Sequence, residues 1–573
     1  MLGDPATRSG AVSVPDGYRG VVSETGVTYS RYMSEHPTSS DPSGIGTPDV
    51  RDPATDITAS YALEPGYVRR LTAGVLASTG RAETTWAPAT GQPLGSVPQS
   101  SVPDVEEAFA RARRAQQAWS RTPLAERAAA LLRLHDLVLD RQAEILDLIC
   151  WESGKARKHA FDEPLHVALT ARYYARTGEE HLATRRVAGL VPGLTRVEVN
   201  RLPKGVVGII SPWNYPFNLA LCDGIPALMA GNAVVAKPDS QTMLTALLGK
   251  QLLEEAGFPT DLWQVVAGPG AEIGGAIVER ADYVCFTGST ATGRVIARQC
   301  ADRLIGCSLE LGGKNPLLVL RDADLDRAAE GAVRASFSNA GQLCVSTERL
   351  FAADQVYDRF VDRFVARTKA MVLRAGIDWG SDMGTLTSQA QLDTVVAHVE
   401  DARAKGARVL TGGRARPDLG PYFYEPTILE GVTPDMACFG KETFGPVISV
   451  YRFSDEADAV ARANAGEYGL NASIWTRDTA RGRALARQVK CGTVNVNEAF
   501  GATFASVESP MGGMRESGLG RRQGAEGIHR YTETQSVATQ RLIRLAPMLG
   551  LSDESFAKVM TANLRLMKKL GRK

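Results

Sequence analysis

The feature that most limits what this chain can fold into is a rhythm in its middle. Four short apolar runs each end in a turn: Gly205-Val-Val-Gly-Ile-Ile-Ser, Ala233-Val-Val-Ala-Lys-Pro, Val265-Val-Ala-Gly and Tyr283-Val-Cys-Phe-Thr-Gly-Ser. Rich in β-branched residues and too short for helices, they read as buried strands. A helical stretch from about Thr242 to Ala256 separates the second from the third. Strands alternating with helices in this way build parallel β-α-β units, because parallel neighbours need a long crossover. A second alternating block runs from Asn315 to about Asn497, and Val105–Glu152 carries apolar positions at helical spacing among Arg and Glu. The fold class expected is α/β.

At 573 residues the chain exceeds one ordinary domain, so two or three packed units are expected. Residues 1–82 differ from the rest: dense in Ser, Thr, Pro, Gly and Asp and without a sustained period, they read as a disordered tail, with Met33 an alternative start. The 65 basic residues nearly balance the 64 acidic ones, which argues against a polyanion-binding surface and hence against nucleic acid as partner. Eight cysteines are scattered without a C-x-x-C pair, so no zinc or other metal site is expected and the thiols read as reduced. With no signal-like N-terminus and no apolar run long enough for a bilayer, the expected location is cytoplasmic.

One cysteine stands apart. Cys344 closes the run Phe337-Ser-Asn-Ala-Gly-Gln-Leu-Cys344, and Glu310 opens Glu310-Leu-Gly-Gly-Lys-Asn-Pro316. None of the seven His residues lies near Cys344 in sequence, so a Cys/Glu pair takes priority over Cys/His. A thiol is only a few per cent ionised near neutrality, and a helix N-terminus or a cationic cofactor ring would activate it. Glu310 alone reads as a turn cap; Gly312 and Gly313 give it room to move. Asn214, in Ser211-Pro-Trp-Asn-Tyr-Pro-Phe, is either a turn former or an amide donor to a developing oxyanion.

Phosphate signals divide into two. Gly268-Pro-Gly-Ala-Glu-Ile-Gly274 has one residue too many for the dinucleotide fingerprint and reads as a turn. Gly288-Ser289-Thr-Ala-Thr-Gly293 follows a strand and opens a helix, the placement an anion-binding turn needs. Lys237-Pro-Asp-Ser240, at a strand end, suits a ribose or its 2′-phosphate.

In order along the chain, Pro212-Trp-Asn-Tyr-Pro, Lys237-Pro, Phe286-Thr-Gly-Ser, Glu310-Leu-Gly-Gly-Lys, Gly341-Gln-Leu-Cys, Glu442-Thr-Phe444-Gly-Pro and Pro510-Met-Gly-Gly resemble the aldehyde dehydrogenase superfamily over roughly 83–542. The resemblance implies a Rossmann-like cofactor domain at 83–309, with an oligomerisation hairpin inserted at about 185–204. A catalytic domain at 310–509, a return segment and oligomerisation strand at 510–542, and a basic C-terminal extension at 543–573 complete the expected plan. It implies Cys344 as nucleophile, Asn214 and the Cys344 N–H as oxyanion donors, and Glu310 as base for thioester hydrolysis to a free acid. Trp213, Lys237, Ser240, Gly288, Ser289, Gly293, Glu442 and Phe444 are the cofactor residues carried over. Where NAD-preferring members have Glu, Ser240 removes a negative charge, so NADP is expected, with NAD as the alternative.

The wording also resembles an actinobacterial branch of NADP-linked succinate-semialdehyde dehydrogenases, which makes succinate semialdehyde the leading substrate. An arginine expected six residues before the nucleophile is here Ser338; Arg176 and Ser506 are the remaining substrate-binding candidates. Ser346, two residues after Cys344, removes the second cysteine of a redox pair. An aliphatic or aromatic aldehyde without a distal charge is the alternative, and a non-catalytic protein on the same scaffold the remote one. A homodimer or homotetramer is expected. Phe556, Val559, Met560, Leu564, Met567 and Leu570 share a helical face, with Lys558, Arg565, Lys568 and Lys569 elsewhere. Packing on protein is favoured over membrane contact for that helix.

Overall fold

The computed structural model describes residues 63–189, 195–540, 546–547 and 550–571. A hairpin of β1 (Ala82–Trp86) and β2 (Pro93–Pro98) precedes three amphipathic helices, Val102–Trp119, Leu124–Asp140 and Gln142–Ser153. The first starts at a reciprocal cap in which Ser101 and Asp104 satisfy each other's backbone N–H groups. The third stops at Gly154, whose φ of 68° only glycine adopts cheaply. After the long helix Asp162–Leu182 come β3 (Arg185–Val187) and β4 (Thr195–Pro203).

The expected strands follow as β5 (Val206–Ile210), β6 (Ala233–Lys237), β7 (Trp263–Val265), β8 (Tyr283–Thr287) and β9 (Gly306–Glu310). All five are parallel, in the order β9-β8-β5-β6-β7. The second block supplies β10 (Asn315–Val319), β11 (Thr347–Ala353), β12 (Arg408–Thr411), β13 (Thr427–Glu430), β14 (Val447–Phe453), β15 (Asn471–Trp475) and β16 (Thr493–Val496). They form a sheet ordered β12-β13-β14-β11-β10-β15-β16, parallel except for β12. Each sheet has its own core. Val207, Val234 and Val284 are fully buried in one, and Leu317, Leu350, Ile448 and Ile474 in the other. Burial of such a side chain stabilises by about 1.5–3 kcal/mol, which is why the strands are apolar on both faces.

The chain then returns to the first sheet. Short β17 (Gly518–Leu519) pairs antiparallel with β9, placing Gly518 opposite Glu310. β18 (Thr532–Gln540) pairs residue for residue with all of β4, which also carries β3. All of β18 after Thr532 is exposed.

Three expectations change. Residues 65–72 form a helix that buries Tyr67, Val68 and Leu71 in the first core, so the low-complexity stretch yields to structure well before residue 82. A Pro65 start and an apolar stripe three and four residues apart define that helix. Of the expected tail, 1–62 lies outside the described residues. Gly270–Arg280 is a helix, so the glycines at 270 and 274 belong to a strand-turn-helix connection rather than to an isolated turn. The basic helix Asp553–Lys569 forms, yet none of its residues is buried by the described part of its own chain. Leu542 and the N-terminal part of the 543–573 extension lie outside the described residues. Among the described residues no helix is long and apolar enough to cross a membrane.

Candidate active site

Cys344 sits in a turn between the helix Leu325–Phe337 and β11. Three consecutive residues on the approach, Asn339, Ala340 and Gly341, have φ of 51°, 53° and 72°. Left-handed backbone costs about 1–2 kcal/mol at each non-glycine residue, and it persists only where its surroundings enforce it. At Gly341 a methyl group would stand 2.0 Å from the Gly445 carbonyl oxygen. The enforcement comes from buried amides. Gln342 donates from Nε2 to the Asn339 and Thr385 carbonyls (3.1 and 3.2 Å) and accepts from the Thr387 N–H (2.9 Å). Asn315 donates from Nδ2 to the carbonyls of Cys344 (2.8 Å) and Ser346 (2.7 Å), flanking the thiol. Asn214 donates from Nδ2 to the Gln342 carbonyl at 3.1 Å, so the structure brings this sequence candidate beside the cysteine turn.

No helix begins at Cys344, so the expected activation by a helix N-terminus is absent. Burial, reinforced by the Glu310 charge, pushes its thiol up to about 12. His159 accepts from the Asn339 N–H at 3.2 Å, yet burial pushes its imidazole down to about 3. No histidine hydrogen-bonds the Cys344 sulfur among the described residues.

Glu310 ends β9, and its side chain is the converse case. Oε1 is buried without a hydrogen-bond partner among the described residues. Burial pushes the carboxyl up to about 7; the Arg522 and Arg530 charges work against that shift and Asp223 works with it. Arg522 Nε, also buried and without a hydrogen bond, lies 3.7 Å from Oε1. Asp223 holds Arg522 in place, accepting from its Nη2 at 2.9 Å and from Arg530 Nη2 at 2.6 Å. Thr287 Oγ1 accepts a further bond from Arg522 Nη2 at 3.1 Å.

The remaining cofactor candidates follow or close the ends of β5, β6 and β8 or lie on the turn before β14. Lys237, at the end of β6, is buried, and the bond from its Nζ is a long 3.4 Å to the Pro238 carbonyl. Burial holds its ammonium below the usual lysine range. Ser240 is partly buried and starts a short turn capped by Asp239. Gly288 donates its N–H to the Glu310 carbonyl (3.0 Å), which ties the two strand ends together. Ser289 caps the helix Thr290–Asp302, and Gly293 packs where a methyl would meet Leu311 at 2.6 Å. Glu442 accepts from the Gly313 N–H at 2.8 Å, its carboxyl pushed up to about 8 by burial and by Glu348. Phe444 is held by its N–H on Glu348 and stands edge-on to Trp213, ring centres 5.6 Å apart. A poorly bonded ammonium, a capped helix start and a carboxylate held on the Gly313 N–H fit the phosphates and ribose hydroxyls of a dinucleotide.

The substrate candidates fare less well. Ser338 is buried and donates its hydroxyl to the Arg334 carbonyl at 2.7 Å. Ser506 is exposed and donates to the Ala502 carbonyl at 2.6 Å. Arg176 is exposed on the helix Asp162–Leu182 and bonds to none of the residues around Cys344 among the described contacts. Sequence reasoning missed Asn315, Gln342, Arg522 and Asp223. The first two stand inside motifs already recognised; the last two lie 299 residues apart, and no local signal joins them.

Two parallel α/β sheets whose strand ends bring a buried thiol and a buried carboxylate together define an oxidoreductase scaffold with a nucleotide-type layer. This chain belongs to the aldehyde dehydrogenase family, whose model matches residues 76–537. It is 53% identical over 481 residues to a Mycolicibacterium smegmatis protein named "putative succinate-semialdehyde dehydrogenase", NADP(+) type, covering 84% of this chain and 93% of that one. Among solved structures, an Escherichia coli NADP-dependent enzyme matches with a TM-score of 0.78 at 36% identity, covering 81% of this chain and 96% of the other. A succinate-semialdehyde dehydrogenase from Burkholderia pseudomallei matches with a TM-score of 0.78 at 35% identity and the same coverage.

Proposed function

We propose that the protein oxidises succinate semialdehyde to succinate with NADP, NAD being the alternative cofactor. Cys344 attacks the aldehyde carbon, and the oxyanion of the thiohemiacetal takes hydrogen bonds from the Asn214 amide and the Cys344 N–H. Asn214 keeps one amide hydrogen beyond the one given to Gln342, so the donor is available without rearrangement. Loss of hydride from the thiohemiacetal carbon, for which a bound NADP would supply the acceptor, would leave a thioester on Cys344. Glu310 then takes a proton from water, which attacks the thioester and releases the acid. Lys237 and Ser240 would hold the adenosine ribose and its 2′-phosphate. Gly288, Ser289 and Gly293 would line the pyrophosphate, and Glu442, Phe444 and Trp213 would border the nicotinamide riboside.

The observation that carries this reading is Glu310 Oε1, buried and without a hydrogen-bond partner among the described residues, on a carboxyl titrating near the working pH whose charge acts on an immobilised thiol. A general base works best with its pKa near ambient pH. Succinate semialdehyde is supported by the names of the relatives. The exposed sheet of β18, β4 and β3 is proposed to pair with another copy in a dimer or tetramer.

The experiment is steady-state NADPH and NADH formation with succinate semialdehyde, hexanal and benzaldehyde. Under this reading kcat/KM is highest for succinate semialdehyde with NADP. A higher value for the uncharged aldehydes would remove that substrate and leave the cysteine chemistry to be tested separately.

A further inference from the structure

A substrate with a carboxylate at its far end needs a cation in the pocket, since an anion brought out of water without a partner is costly. Ser338 cannot supply it. Its single hydroxyl hydrogen is committed to the Arg334 carbonyl, and the residue is buried. The same helix offers a cation one turn earlier.

Arg334 reaches from the helix Leu325–Phe337 to the loop after β16. Its guanidinium carbon lies 5.4 Å from the centre of the Phe500 ring, and Nη2 lies 3.4 Å from where a methyl on Gly501 would stand. The guanidinium makes no hydrogen bond or ion pair among the described residues. Five N–H donors in a rigid fork are therefore uncommitted, in the geometry that matches a carboxylate in two-point fashion.

Tyr215 ties this cation to the reacting centre. It directly follows Asn214, and its hydroxyl is buried with no hydrogen-bond partner among the described residues. Burial dominates at that hydroxyl, and the charges of Asp162, Glu163, Cys344 and Arg334 also act on it, so one orphaned donor lies within electrostatic reach of the nucleophile and of the free guanidinium. Beside Glu163, which is paired with Lys155, Asp162 and Glu498 are the carboxylates of the same neighbourhood: Asp162 acts on the Tyr215 hydroxyl, and Glu498 acts on Asp162. Neither pairs with Arg334, and Glu498 spends Oε1 on the Ala499 N–H at 2.9 Å. Lys155, the other cation here, stands 3.6 Å from the centre of the Tyr215 ring but is paired with Glu163, so without Arg334 an incoming anion would meet two acids that have no ion-pair partner among the described residues.

We infer that Arg334 recognises the distal carboxylate of the aldehyde, doing from one helical turn away what position 338 does not. The inference rests on the proposed function and adds the residue that selects for charge.

The test compares kcat/KM for succinate and glutarate semialdehydes with their uncharged counterparts butanal and pentanal, in the wild type, Arg334→Ala and Arg334→Lys. For Arg334→Ala the ratio of acid to uncharged substrate is expected to fall roughly 10- to 100-fold, mainly through KM, as for loss of a hydrogen-bonded ion partner. Arg334→Lys is expected to restore part of it. A wild type that prefers the acids, with the ratio unmoved in both variants, overturns Arg334 and leaves the substrate reading standing. A wild type that prefers glutarate semialdehyde and loses that preference in Arg334→Ala supports Arg334 and replaces the named substrate. A wild type that prefers neither acid overturns both.

Discussion

The turn that carries Cys344 and the strand end that carries Glu310 lie near enough for the glutamate charge to act on the thiol, but they are built oppositely. Around the cysteine, three amide side chains are spent on backbone: Asn315, Gln342 and Asn339 together pin residues 339–346 and hold three left-handed residues in place. Around the glutamate, the carboxylate is left without a hydrogen bond at Oε1 and with a single cation at 3.7 Å. The contrast follows from the two tasks. A nucleophile must be aimed, and a misplacement of an ångström is costly in rate. A base that serves only the second half of a reaction must be able to leave the path of the first.

Substitutions can break each side of that contrast. Cys344→Ala should abolish NADPH formation, by at least ~10⁴-fold, with cofactor affinity measured by fluorescence titration retained. Any residual steady turnover above that level would mean another nucleophile. Glu310→Gln should keep a rapid burst of NADPH and lose ~10²–10³ in steady rate, since only deacylation needs the base. A variant that lost the burst as well would show that Glu310 acts on the thiol.

The same variant reports on stability with a defined sign. Glu310 titrates near 7 in the fold and at about 4.5 when unperturbed, so the stability gained by keeping it neutral is full below pH 4.5 and lost as pH rises through 7. Glu310→Gln should therefore gain on the wild type across that window, by up to about 3 kcal/mol at pH 8, read from denaturant midpoints. Asn315→Ala should cost about 2–3 kcal/mol and slow both half-reactions roughly tenfold, because the Cys344 and Ser346 carbonyls lose their shared donor. Equal burst rates in wild type and variant would show that the turn is rigid without Asn315.

Arg522→Gln should have the smallest effect. The wild-type deacylation rate should rise with pH through about 7, as Glu310 loses its proton. Removing the Arg522 cation, with Asp223 left to pull the carboxyl up and Arg530 and Arg521 to hold it down, moves that midpoint upward. The plateau at alkaline pH should stay near that of the wild type. A midpoint that stays or falls would mean that Arg522 does not act on the base.

The strands at 206–210, 233–237 and 283–287 were legible because each is a short apolar run with a turn behind it, and a strand buried on both faces needs little else. Cys344, Glu310 and Asn214 were legible as motif residues, each beside a glycine or proline that marks a fixed backbone. Less was readable where the cause is distant. Asp223 meets Arg522 only because β17 returns to β9. The left-handed run at Asn339 and Ala340 has only Gly341 as a local clue; the buried amides that enforce it are invisible in a linear pattern. The helix at 65–72 was obscured by the Ser/Thr/Pro-rich stretch around it, although Tyr67, Val68 and Leu71 already carry a helical stripe.

The late return of β17 also has a consequence for biosynthesis. Cys344 and Glu310 leave the ribosome long before Gly518, Arg522 and Arg530, yet the edge of β9, the cation beside Glu310 and the clamp on Asp223 all come from that last stretch. A nascent chain arrested just short of it already holds both sheets' sequences but has an open strand edge beside its base. Unpaired strand edges are where partly made chains associate wrongly. Competence should therefore appear abruptly, with the emergence of residues 518–530, rather than accumulate as the two halves emerge.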